Sequence, residues 1–531
     1  MQTRRQFVVR AGTVAASAIL SPSALAAGLG SARPAALARG GRFSEGVMSG
    51  EPAPRAITLW SRLHDVDGSV SAELEIARDR EFRRVVARRR VSTTSAKGHA
   101  LKARVTGLSP HEQYYYRFST RTTDGPVGRF RTALPPDSRQ PVRFAFWSCQ
   151  DFTHGFYNAH EVLAEEDLDF VVCLGDYIYA ETEERGATAV RTDRIGSTGP
   201  TGTREAITLD DYRAKYRLYR SDPALRRVHA RFPTVMMWED HEVQDNYAGG
   251  EPDGGLPPEK RYSNARKRAA YRAFFESVPY SPPFGDRVYR TLKFGRTVDL
   301  VVMDQRQYRA DQPCNDAIAP ACAELPQPRA FLGAPQMSFV QNALKSSQAA
   351  WKVLANEVMI MPVKLPNDVF AQFDQWQGYP VEREQLLGFI QANDIADVVF
   401  ITGDIHTFVA GDVRTAAGLG PSVAVEFVGG SITSRGIGEG EGGILPGNDQ
   451  NPNSGAGLVN LLRGLNPWTD QADLDHHGYA RVTATQNRFD CDLVRMQTIK
   501  RRSRAKLPSA GFTYSLARGQ KSIKGVNGPA V

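Results

Sequence analysis

The sequence predicts a layered α/β domain preceded by a small antiparallel β-sandwich. Up to about Thr132, short alternating apolar runs are separated by turn residues with no long helical pattern between them. From Val142 onward, strand-like runs alternate with helical segments, the signature of crossover units. Six of those later runs end in a residue able to bind a metal or move a proton.

The first element is an address. Thr3-Arg-Arg-Gln-Phe-Val-Val9 is a twin-arginine pattern, followed by the modestly apolar stretch 11–20 and the small residues Ala24-Leu-Ala26. Residues 1–26 are therefore expected to be an export signal read by the twin-arginine machinery, giving a periplasmic or extracellular product. The apolar stretch is too short to span a bilayer permanently, and no later segment qualifies, so no membrane span is expected in the mature chain. Removing these residues, which carry three arginines and no acid, lowers the formal charge from +8 to +5. That excess can attract an anionic substrate but forms no basic stripe, which argues against a stable nucleic-acid partner.

Residues 27–135 form the expected sandwich with its lead-in. Its strands are Ala56-Ile-Thr-Leu-Trp60, Val70-Ser-Ala-Glu-Leu-Glu-Ile76, Ala100-Leu-Lys-Ala-Arg-Val105 and Gln113-Tyr-Tyr-Tyr-Arg-Phe118, with turn signals at Asp67-Gly68 and Asp124-Gly125. Leu134-Pro-Pro-Asp-Ser-Arg-Gln-Pro141 reads as an extended linker. Residues 136–531 form the second domain, with helices expected at 155–166, 209–219, 262–275, 336–346 and 382–392. Gly-rich stretches at 185–202, 249–258 and 436–457 read as long surface loops. Cys314 and Cys322 bracket a polar loop, where a disulfide is plausible in an oxidising compartment, whereas Cys173 and Cys491 read as core residues. A monomer is the expected state.

The chemistry gathers at strand ends. Asp397-Val-Val-Phe-Ile-Thr-Gly-Asp-Ile-His406 is a β-branched run that stops at Gly403 and delivers Asp404 and His406. In an extended segment, residues two apart point to one face, so this carboxylate and imidazole are expected to converge. Other runs deliver Cys149, Asp176 with Tyr179, Glu239-Asp-His-Glu242, Asp304 with Arg306, and Asn356. Hard oxygen donors, imidazoles and a thiolate in one crevice suggest a multi-metal hydrolytic site.

With these motifs in view, the chain resembles the PhoD-like alkaline phosphatases/phosphodiesterases over nearly its whole length. The resemblance rests on Phe43-Ser-Glu-Gly-Val-Met-Ser-Gly-Glu-Pro52, Leu59-Trp-Ser-Arg-Leu63, Ser148-Cys-Gln150, Leu174-Gly-Asp-Tyr-Ile-Tyr179 and Trp238-Glu-Asp-His-Glu-Val243. It continues through Met303-Asp-Gln-Arg-Gln-Tyr-Arg309, Leu332-Gly-Ala-Pro-Gln336, Gly403-Asp-Ile-His406 and Glu426-Phe-Val-Gly-Gly-Ser-Ile-Thr-Ser434. It implies a four-layer metallophosphoesterase-like α/β/β/α sandwich using ferric iron with calcium. The implied activity is hydrolysis of phosphate mono- or diesters by metal-activated hydroxide. Gln377 stands where the family often carries Asp, a departure that counts against a second calcium.

The residue chemistry and the resemblance together assign roles. Cys149 and Tyr179 are expected iron ligands as thiolate and phenolate, and Asp176 bridges iron and a second metal. Asp240, Asn246, Asp374, Asp404 and His406 complete the expected ligand set. His241 is the expected catalytic group that stabilises charge or protonates the leaving oxygen. Glu242 is expected to orient His241 or the backbone. Arg220 or Arg306 is expected either to clamp phosphate or to form a structural ion pair. Two other readings stay open: a nuclease or phospholipase D-like phosphodiesterase on the same scaffold, and a non-catalytic exported binding protein. The intact donor series counts against the latter.

Overall fold

The computed structural model describes residues 35–181, 190–191, 205–249, 263–283, 285–439 and 456–523. The expected export signal and most of the three Gly-rich stretches lie outside these residues. The N-terminal sandwich pairs a three-stranded sheet (Val47–Ala53, Ala56–Arg62, Ala100–Thr106) with a four-stranded one (Ser69–Ala77, Val85–Thr94, Gln113–Ser119, Gly128–Arg131). Leu59, Leu74, Ile76, Leu101 and Phe118 fill its core.

The second domain stacks two sheets. The six-stranded sheet runs in the order Thr234–Met236, Phe170–Cys173, Val142–Trp147, His477–Ala484, Arg488–Met496, Thr513–Ala517. The seven-stranded sheet holds, from one edge, Arg290–Phe294, Val298–Val302, Trp351–Asn356, Val398–Thr402, Ser422–Gly429, Phe408–Arg414 and Thr469–Asp473. Alternate residues of Val398–Thr402 serve two cores: Val399 and Ile401 face the other sheet, while Val398 and Phe400 face the helices Gly333–Ser346 and Pro380–Ala392. A continuous apolar run is what a strand buried on both faces requires. Phe170 of one sheet stacks on Phe294 of the other with centroids 4.0 Å apart. Helices Asn158–Leu163, Leu209–Tyr219, Pro223–Arg231 and Asn264–Ser277 lie on the six-stranded side, completing four layers.

The strands that end in chemistry are mutually parallel within each sheet. Val142–Trp147, Phe170–Cys173 and Thr234–Met236 run together, as do Val298–Val302, Trp351–Asn356, Val398–Thr402 and Ser422–Gly429. Their C-terminal ends therefore open on one rim. Cys314 and Cys322 form a disulfide with Cα atoms 5.7 Å apart, and Cys173 and Cys491 are buried in the core. Among the described residues no helix is long and apolar enough to cross a membrane.

Candidate metal centre

The rim carries a cavity of about 350 Å³ whose floor includes Asp176, Asp240, His241, Asn246, Asp404 and His406. A larger cleft of about 1210 Å³ lies between the two domains, but none of these groups lines it. Ligand atoms of Cys149, Asp176 and His406 lie within 4.8 Å of one another, and so do those of Asp176, Asp240 and His241. Asp176 belongs to both groups. Donors bonded to one ion at about 2.0–2.3 Å stand roughly 3–4 Å apart, so Cys149, Asp176 and His406 can close on one cation with little movement, while Asp176 and Asp240 offer oxygens towards a second.

The backbone achieves this convergence by left-handed turns. Cys149, Asp176, Asn246, Asp404 and His406 all have φ between 51° and 68°, an uncommon conformation for residues other than glycine. Asp404 and His406 are thus not extended neighbours on one face, as the sequence suggested. Each leaves the strand end through its own reversal, and they serve different groups: His406 faces Cys149 and Asp176, while Asp404 lies with Glu239 and Asp374. Gly175 carries φ 106°, and a Cβ there would sit 2.3 Å from Cβ of Glu239, so the two loops touch directly.

Neighbours aim the donors. The Nδ1–H of His406 donates to the Arg435 carbonyl at 2.7 Å, leaving the Nε2 lone pair 3.0 Å from the Tyr179 hydroxyl. A partner on one ring nitrogen selects the tautomer that leaves the other free to ligate. Ser434 donates to the same hydroxyl at 2.6 Å. Glu242 accepts from the backbone N–H groups of Asp176, Tyr177, Ile178 and Glu239, so of its two expected roles it takes the backbone one. His241 stacks on Tyr179 at 4.0 Å, and its Nδ1 lies 2.8 Å from Glu181. Asp240 accepts from the N–H groups of His241 and Asn246, both at 2.6 Å.

The electrostatics ask for a cation. Burial, with Asp176 nearby, pushes the Cys149 thiol well above its ordinary pKa; burial does the same to the Asp176 carboxyl and the Tyr179 phenol. One carboxylate oxygen of Asp176 is buried with no hydrogen-bond partner. Buried anions that repel one another and an orphaned acceptor fit a bound metal ion, which would favour every anionic form at once. Burial and the cationic His241 ring hold His406 down at about 3, leaving it neutral and able to ligate.

Three expected site residues sit differently. Arg220 does not reach the cavity. Its guanidinium is fully buried at the domain interface, against the Trp60 ring, with Glu45 at 3.3 Å and the Tyr177 hydroxyl at 3.1 Å. Of its two expected roles, the ion pair is the one its geometry serves. Arg306 grips Asp374 with two nitrogens at 2.8 and 2.6 Å and also binds Glu239, and it too is fully buried. Asp374 takes further donors from Arg309 and Gln312 at 2.8 and 2.5 Å, so both its oxygens are already engaged. Arg306 and Asp374 form an internal ion pair behind the floor, and an Asp374 oxygen also lies within 4.8 Å of ligand atoms of Glu239 and Asp404, a third group that could hold a metal ion. Asp304 caps the N–H of Gln307, and Asn356 accepts from Trp376, both within the packed interior.

Sequence reasoning missed Glu181, Ser434 and Gln375, which hold His241, Tyr179 and Asp404 respectively. Ser434 and Gln375 carried a signal, lying in the stretches Glu426–Ser434 and Phe373–Tyr379 that the family resemblance covers, whereas Glu181 carried none.

The model of the PhoD-like phosphatase matches residues 144–493, and that of the PhoD-like phosphatase N-terminal domain matches residues 30–134. The chain belongs to the PhoD-like phosphatase family. Within that family, alkaline phosphatase D of Bacillus subtilis (strain 168) is 33% identical over 533 residues, covering 96% of this chain and 87% of the relative. A solved structure of PhoD superposes with a TM-score of 0.80 at 32% identity, over 91% of each chain. The purple acid phosphatase PPD1 from yellow lupin (Lupinus luteus) seeds shares the architecture, at a TM-score of 0.50 and 11% identity over 84% of this chain and 71% of that one. Membership makes this PhoD-like chain a phosphoric ester hydrolase, and the expected four-layer fold is the one observed.

Proposed function

We propose that the chain is an exported, metal-dependent phosphatase acting on phosphate mono- and diesters. Cys149, Asp176, Tyr179 and His406 would hold ferric iron, and Asp240, Asn246 and Asp404 would hold calcium, with Asp176 shared. The observation that carries this reading is Asp176, common to two donor groups and left with an orphaned buried oxygen. Bound metal ions would neutralise phosphate oxygens and make water acidic enough to attack phosphorus near neutral pH.

The chain's own groups do the rest. Glu181 fixes the His241 ring through Nδ1, which leaves the Nε2 proton for the departing oxygen. Gln375 donates to Asp404 at 2.9 Å and Ser434 to Tyr179, so donors are set before substrate arrives. Export rests on the twin-arginine pattern at Thr3–Val9 and the small residues Ala24–Ala26.

Metal analysis of the purified protein, read with its visible spectrum, tests the assignment. The expected result is iron and calcium, a coloured iron–phenolate band, and loss of both colour and phosphatase activity in Cys149→Ala and His406→Ala. A colourless protein fully active after exhaustive chelation would refute it. Cell fractionation of the Arg4→Lys/Arg5→Lys variant tests export, with cytoplasmic retention as the expected outcome.

A further inference from the structure

The walls of the cavity differ in character from its floor. Val363, Leu365, Ile405, Ile437, Leu458 and Leu462 surround the polar floor. Their placement follows from local geometry. Val363 and Leu365 are two apart beside the short strand Lys364–Leu365, and so share a face. Leu458 and Leu462 are one turn apart in the helix Ala456–Leu465, on one stripe. Among the described residues, no Lys, Arg, Phe, Tyr or Trp lines the cavity. Asp245 and Asp316 stand at the same wall as Asn246.

The described lining residues thus offer aliphatic surface rather than cations that would hold further phosphates or rings that would stack on a base. Aliphatic surface beside a reacting phosphate is instead stabilised by covering it with hydrocarbon. We propose that Val363, Leu365, Leu458 and Leu462 form the subsite for an uncharged aliphatic substituent of the phosphoester. The enzyme is therefore expected to favour phosphodiesters with longer alkyl groups. This deepens the proposed phosphatase reading and rests on it.

The test is a series of p-nitrophenyl n-alkyl phosphodiesters, methyl to hexyl, each below its aggregation threshold. In each turnover the phosphorus–aryl oxygen bond breaks, an oxygen from water takes its place, and nitrophenol and the alkyl phosphate leave. Burying each methylene raises kcat/KM about two- to fourfold. In the Leu458→Ser/Leu462→Ser variant the hexyl-to-methyl ratio of kcat/KM collapses towards one. Because that ratio is internal, a general loss of rate does not disturb it. A flat or falling profile in the native enzyme overturns the proposal, as does an undiminished ratio in the variant.

Calorimetric titration of the native protein with n-alkyl phosphonates supplies a second readout that needs no turnover and no folded variant. Affinity that climbs with chain length supports the subsite, and affinity independent of chain length overturns it. Hydrolysis of none of the esters, with chain-length-dependent phosphonate binding intact, would sink the phosphatase reading while leaving the subsite standing.

Discussion

Tyr179 shows how single residues are tuned here. Its hydroxyl meets His406, Asp176 and Ser434, while its ring stacks on His241. Ser434→Ala removes one outer partner without touching a proposed ligand. The expected outcome is a roughly 10- to 100-fold loss of metal affinity, measured by competition with a chelator, with the fold unchanged by circular dichroism. Arg306 separates two roles in the same way. As the internal partner of Asp374 and Glu239, its replacement by Ala leaves buried charge uncompensated and lowers stability by about 3–5 kcal/mol in urea unfolding. A phosphate clamp would instead raise KM with stability unchanged. The donor identities were readable because thiol, phenol, carboxylate and imidazole each follow an apolar run. The pairing of Arg306 with Asp374 was not, since the sequence does not show which of its charges closes on another 68 residues away.

At the scale of elements, the strand ends were legible and the route between them was not. Buried strands announce themselves through uninterrupted β-branched runs, and Val398–Thr402 and Val298–Val302 fall where such runs stand. The helix Pro223–Arg231 was overlooked although Asp222 caps it and Pro223 sits at its first turn. Its arginine-rich sequence hides an apolar stripe of Leu225 and Val228. The strand Val85–Thr94 is half exposed, with three consecutive arginines, and so lacks a clear period of two. The left-handed turns at Cys149, Asp176, Asp404 and His406 have no signal at all, because none of these residues is glycine. Gly175 is the exception whose conformation the sequence did mark. Gly175→Ala would combine an unfavourable φ with a clash against Glu239. It is expected to cost about 1–3 kcal/mol in urea unfolding and to lower activity by displacing Asp176.

Across the whole molecule, the two domains are joined by a buried cluster that responds to acid. Glu45 of the sandwich lies 3.1 Å from Arg62, 3.3 Å from Arg220 of the second domain, and 3.0 Å from His64. Trp60 donates to the Glu276 carbonyl at 2.8 Å across the same boundary. Burial alone would raise the Glu45 pKa, but Arg62, His64 and Arg220 outweigh it and bring it down to about 2, from an ordinary 4.5. A carboxyl whose folded pKa is depressed stabilises the fold fully above the unfolded value and loses that contribution as pH falls through the folded one. Glu45 thus adds about 3 kcal/mol at neutral pH that disappears between about pH 4.5 and pH 2. Glu45→Gln, which leaves both arginines without their carboxylate, is expected to be less stable at pH 7 and to have a flatter acid limb. Urea midpoints measured at intervals from pH 7 to pH 2 decide this: the native and variant curves should converge on acidification, and parallel curves would show that the cluster does not govern the acid stability of the domain junction.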